Sequence, residues 1–339
     1  MNYYYSFPVV KGVQAGKAYY IAMVPLKMLK RLFVYDDEYV LPEHRAQRRL
    51  NEARIPEIKK YILDNKQSYV FSALAASIDG DFRFRMVEND IGYLEVSLDA
   101  KFLINDGQHR KAAILAALED DSSIENETIS VVFYEDAGLR RSQQMFTDLN
   151  KHALRTSNSL ATLYDSRDEL AMATKSLIDA IPFLRKYTDK ERDILGVNSS
   201  KLFTLNTIYK ANQRILHSKK CKEGDGSFLV LFWSLVIKHM PQWRELQNKE
   251  IAKRDLRENY IVTLAITITA LGKLGGVFYD HRNIQMENYL EKLERIDWSR
   301  DNCDWIGRTI KENGKVMTGE EAINLTFEKI KELIELNEV

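Results

Sequence analysis

Five consecutive residues, Asp106, Gly107, Gln108, His109 and Arg110, bring a carboxylate, a permissive backbone, an amide, an imidazole and a guanidinium into one turn. Arg110 can fork onto a phosphate, and His109 can donate or accept a proton near neutral pH. Gly107 lets the chain turn tightly or approach a ligand closely. In an enzyme, Asp106 would hold Mg²⁺ or orient water and His109 would act as a general base or phosphate donor. Gly107, Gln108 and Arg110 would then bind the phosphates of a nucleotide, with ATP and Mg²⁺ as the cofactor. The chain has no Gly-x-x-x-x-Gly-Lys-Ser/Thr, so any such hydrolysis is not P-loop chemistry. A plainer arrangement stays open, in which Asp106 caps a helix and His109 and Arg110 line its first turn.

The elements on either side explain why the turn stands out. Lys101-Phe102-Leu103-Ile104 is short and apolar, as a buried strand is, and Lys111 to Leu118 is rich in Ala and Leu and strongly helix-forming. Strand, turn and helix together leave backbone N–H groups at the helix start, a natural place for an anion. It is also where an open α/β sheet usually holds its ligand. Further strands are expected at Ala18 to Val24, ended by Pro25, at Tyr69 to Ile78, at Tyr93 to Leu98 and at Ile129 to Tyr134. Arg54 to Asn65 shows helical spacing through Ile55, Ile58, Tyr61 and Ile62, with Pro56 in the first turn. The acidic stretch Glu119 to Glu127 reads as a solvated loop.

From about residue 138 the helical pattern takes over. It runs through Gly138 to Asn150, Ser166 to Ala180, Lys201 to His217, Ser227 to His239, Arg257 to Leu274, Asn283 to Leu293 and Thr318 to Leu336. The pattern predicts an α+β protein, with a mixed α/β domain over 1–157 and an all-α helical domain over 158–339. Tyr260 to Leu271, the greasiest stretch, is too short to span a bilayer and reads as a buried helix. The four tryptophans, Trp233, Trp243, Trp298 and Trp305, all fall in the helical half and read as packing residues.

Asp106 to Arg110 is the signature of the DGQHR-domain family, which the chain resembles. Lys111-Ala112-Ala113-Ile114, Phe146 to Ala153 and Gln47 to Ile58 are similar to that family too, in the same order along the chain. Within it the chain looks most like the DndB group, regulators encoded beside the enzymes of DNA phosphorothioation. A more distant likeness is to the ParB/sulfiredoxin nucleotide-binding fold, whose similar Gly-x-His-Arg turn contacts nucleotide phosphate. That likeness implies the same role for His109 and Arg110.

Composition narrows the partners. The chain has 339 residues, 45% hydrophobic and 29% charged, with 49 basic and 49 acidic residues. A nucleic-acid-binding surface must therefore be a local patch, since there is no general positive field. Between His44 and Lys60 there are six Lys/Arg against two acids, and Arg45, Arg48 and Arg49 share one helix side with Glu52. With Arg54 they form a face that can grip a phosphate backbone. Asn150, Lys151, His152 and Arg155 offer a second set, suited to DNA or, through Asn150, to a nucleotide; Asn150 is equally a helix C-cap. Arg185, Lys186, Lys190 and Arg192 alternate with Asp189, Glu191 and Asp193, as in a solvated loop. Two distant cysteines, Cys221 and Cys303, suggest a reducing cytoplasm, and Met1 to Phe7 has no basic run before an apolar core, so no signal peptide is expected. The six histidines are scattered, with no zinc spacing, and no metal site is expected.

Taken with the resemblance, these features predict a cytoplasmic, homodimeric DNA-binding repressor of the phosphorothioation genes. It binds duplex DNA at their promoter and is modulated by a nucleotide at the Asp106–Arg110 turn. The alternatives are a nucleotide-hydrolysing or DNA-nicking enzyme using that turn, and a scaffold bound to the phosphorothioation enzymes.

Overall fold

The computed structural model describes residues 3–34, 51–135, 156–196 and 199–336. The chain divides into two compact units, Met1–Leu154 and Arg155–Val339. The first is built on a seven-stranded mixed sheet. Its strands are β1 (Tyr4–Gln14), β2 (Lys17–Pro25), β3 (Leu74–Asp79), β4 (Phe82–Glu88), β5 (Ile91–Ser97), β6 (Lys101–Asp106) and β7 (Thr128–Glu135). They lie in the order β4-β5-β1-β2-β7-β3-β6. Only the β3–β7 pairing is parallel; every other neighbour in this sheet is antiparallel.

Alternation decides which way each strand faces. Phe7 and Val9, Tyr20, Ala22 and Val24, Leu94 and Val96, and Ile129, Val131 and Phe133 all point into one core. The core is closed by α1 (Leu29–Leu32), α2 (Ile55–Asp64) and α3 (Gln108–Asp120), through Leu29, Leu32, Ile62, Ile114 and Ala117. Each such leucine or isoleucine, fully buried, contributes about 1.5–3 kcal/mol of transfer free energy.

Most expected elements are present, with shifted ends. Tyr69 to Ala73 is not strand, because the β3 ladder begins at Leu74. The helix after the turn begins at Gln108, not Lys111, because Gly107 supplies the break. The acidic stretch is structured: Glu119 and Asp120 end α3, and Ser122–Ile124 is a 3-10 turn whose N-cap is Asp121. Strands β1 and β4 lie outside the expected strands.

The second unit contains α4 (Asn158–Tyr164), α5 (Glu169–Ala180), α6 (Pro182–Tyr187), α7 (Leu205–Leu216), α8 (Asp225–His239) and α9 (Pro241–Asn248). It continues with α10 (Lys253–Asn259), α11 (Ala265–Asp280), α12 (Met286–Leu290) and α13 (Glu320–Leu333). The all-helical expectation needs one amendment: β8 (Thr188–Asp189) and β9 (Phe203–Thr204) form a two-residue parallel pair. The expected helix from Arg257 to Leu274 is broken, with Tyr260 to Leu264 outside both α10 and α11.

Helices α7 and α11 cross closely because Gly272 lies against the Ala211 backbone, where a Cβ would come within 2.6 Å of its carbonyl oxygen. All four tryptophans are fully buried. Trp298 and Trp305 stack with centroids 5.3 Å apart, and Trp233 donates its indole N–H to Asn212 at 2.8 Å. Among the described residues no helix is long and apolar enough to cross a membrane. Cys221 and Cys303 are free thiols.

Candidate functional site

The turn sits at the end of β6, an edge strand paired antiparallel with β3. The parallel-sheet argument for a ligand crevice therefore does not apply to it. A bulge shapes its approach. Ala76 pairs with Ile104 but Ala75 with Asp106, so Asn105 is the extra residue. Asn105 is fully buried and donates to the Ser77 hydroxyl at 2.6 Å.

Gly107 is the helix N-cap, with φ 101°. An added Cβ would lie 2.3 Å from Leu74 Cδ2, so both backbone and space require glycine. Asp106 does not cap the helix; no side chain does. Its carboxylate instead accepts from Arg110, one helical turn later.

Arg110 is turned inward, its side chain 17% exposed. One guanidinium nitrogen, Nη1, donates to the Ser72 carbonyl at 2.6 Å, the Ser72 hydroxyl at 2.5 Å and the Ala73 carbonyl at 2.8 Å. The other, Nη2, holds Asp106. Arg110 thus ties the segment entering β3 to the strand end leaving β6. The fork expected to grip phosphate is occupied by the protein's own acceptors.

His109 accepts the backbone N–H of Asn51 on Nε2 at 2.9 Å. In this contact Nε2 serves as the acceptor, so its lone pair is engaged by the backbone. Asn51 begins the described part of the segment Gln47 to Ile58, so two of the three family-like segments meet at His109. Gln108 and His109 are half-buried. Arg54, just before α2, is exposed. Arg45, Arg48, Arg49, Asn150, Lys151, His152 and Arg155 lie outside the described residues, as does the helix expected over Gly138 to Asn150.

Neighbouring contacts brace α3 against α2 and the chain before β7. Lys59 pairs with Asp120 at 2.7 Å, and Lys66 pairs with Asp121. Lys66, helped by hydrogen bonds from Ser123, pulls the Asp121 carboxyl down to about 2. Burial, reinforced by its bond to Glu127, pushes the Tyr69 phenol well above its usual range. Sequence reasoning missed Ser72, Ala73 and Asn51 as partners of the turn. Ser72 and Ala73 fall in a stretch that reads as strand, and no local signal marks a contact of this span. Among the described residues no group of three His, Cys, Asp or Glu could hold a metal ion.

The family model for DndB, described as DNA-sulfur modification-associated, matches residues 7–337. The chain belongs to the DndB family. The match runs through both compact units, so the DndB-type chain is the sheet unit and the helical unit together. Membership connects the protein with DNA phosphorothioation systems. No curated protein and no solved structure matches the chain.

Proposed function

We propose that this DndB-family protein is a DNA-binding regulator in the cytoplasm that restrains transcription of the phosphorothioation genes by binding their promoter. The observation that carries the reading is the state of the turn. Both expected catalytic groups are engaged: Asp106 by Arg110, and His109 Nε2 by the Asn51 N–H. A general base needs a lone pair within reach of the proton it abstracts. For His109 the geometry therefore suits a folded latch better than a general base, while Asp106, 40% exposed, keeps one oxygen outside the Arg110 contact.

A nucleotide enters this reading as an effector. Its phosphate would have to displace Asp106 from Arg110 and so loosen the tie to Ser72 and Ala73. Binding of ATP·Mg²⁺ would then shift the protein between two conformations with different affinity for DNA. The proposal is tested by placing a reporter under the phosphorothioation-gene promoter, with and without the chain. Repression that is lost on deleting the chain supports the reading. Equal expression in both strains removes it.

A further inference from the structure

A groove of about 500 Å³ in the helical unit is lined by Arg185, Thr188, Lys190, Arg192, Ser199 and Lys201 together with their neighbours. Four basic side chains, Arg185, Lys190, Arg192 and Lys201, outnumber the two acids in the same lining, Asp189 and Glu191. Asp189 accepts the backbone N–H groups of Glu191 and Arg192, both at 2.9 Å, and so closes its own turn. Asp193 faces the start of α4, where it accepts from the backbone N–H groups of Asn158 at 2.7 Å and Ser159 at 2.8 Å. Lys190 is held by Asp179 at 2.7 Å.

Arg185 and Arg192 are exposed, and neither side chain has a hydrogen-bond or ion-pair partner among the described residues. The Lys201 ammonium is spread over the Lys186 carbonyl at 2.8 Å, a contact that leaves its charge in place. Thr188 is 3% exposed, yet its hydroxyl is without a partner. Leaving a buried hydroxyl unsatisfied costs about 1–3 kcal/mol. The same residue lines the cationic groove, where an oxygen-rich anion would supply the missing acceptor.

The walls are held in advance. Arg257 donates to the Ser199 carbonyl at 2.7 Å and also to the Lys201 carbonyl, while Leu202 donates to the Tyr187 carbonyl at 2.7 Å. The Thr188–Phe203 pairing joins the two walls.

We propose that this groove binds phosphate groups of the duplex DNA backbone, with Arg185 and Arg192 as the charge contacts and the Thr188 hydroxyl as a donor. The assignment rests on the DNA-binding reading above and names where the helical unit meets DNA. Contacts of this kind position a protein on DNA without reading its sequence.

The test is a DNA titration across a salt series with wild type, Arg185→Ala/Arg192→Ala and Thr188→Val, each checked by thermal unfolding. The double variant should bind promoter and scrambled duplex about tenfold or more weakly, with the salt slope flattened by about 1–2. Its melting temperature should not change. Thr188→Val, which removes an unsatisfied hydroxyl, should keep or raise stability while weakening DNA binding severalfold. Wild-type DNA binding with unchanged affinity and slope in both variants overturns the groove and leaves the regulator reading standing. No DNA binding by wild type overturns the regulator reading, and the groove assignment with it. ATP binding that the double variant loses, with DNA binding intact, overturns the duplex assignment in favour of free nucleotide.

Discussion

Arg110 pairs with Asp106 four residues earlier, across the Gly107 turn, and the same guanidinium holds the Ser72 and Ala73 carbonyls. The contact makes a ligand-like motif a structural joint. Arg110→Ala would leave a carboxylate and two carbonyls without their donor in a half-buried site. The expected cost is about 2–4 kcal/mol, read from urea unfolding. Arg110→Lys should recover only part, because an ammonium cannot reproduce the fork. A variant as stable as wild type would mean the guanidinium is not a joint.

Gly107→Ala meets two obstacles, a left-handed backbone at φ 101° and the Leu74 side chain. Destabilisation of about 1–3 kcal/mol is expected. Thermal unfolding checks it, and an unchanged midpoint would show that the turn relaxes freely.

How much of this was legible in the sequence depends on the range of the contact. Ile55, Ile58 and Ile62, with Pro56 in the first turn, announced α2, and Pro25 marked the end of β2. Strand β1 escaped notice because its outward residues include apolar Val10 and Val13, which blur alternation. Strand β4 alternates Phe82, Arg83, Phe84 and Arg85 but then exposes both Met86 and Val87. At the turn, residue chemistry identified the groups that could act. It could not show that Ser72, Ala73 and Asn51 would reach them first, because that depends on how distant segments pass one another.

The helical core carries a buried polar link. Asn212, fully buried, accepts from the Trp233 indole at 2.8 Å and donates to the Thr174 hydroxyl at 2.9 Å. Asn212→Ala strands the indole N–H and opens a cavity, so a loss of about 2–3 kcal/mol is expected. A shift in tryptophan fluorescence should accompany it. Neither change would appear if the link were idle.

Acid should weaken the brace between Lys66 and Asp121. The Asp121 carboxyl is lowered from 3.8 to about 2 in the folded chain, chiefly by Lys66. A depressed carboxyl stabilises the fold above its unfolded pKa and loses that contribution as pH falls through the folded one. The loss should therefore fall between about pH 4 and pH 2. Melting temperatures across this window should drop more steeply for wild type than for Lys66→Gln. Parallel curves would show that the pair contributes nothing.

Sequence-preferring DNA binding by this chain is measured by a titration across a salt series. The duplexes would be the promoter of the phosphorothioation genes and a scrambled control, each with and without ATP·Mg²⁺. Binding should be tighter to the promoter at every salt concentration, should weaken steeply with salt, and should change in affinity when nucleotide is added. Equal affinity for both duplexes, or no binding at low salt, would contradict sequence-preferring binding.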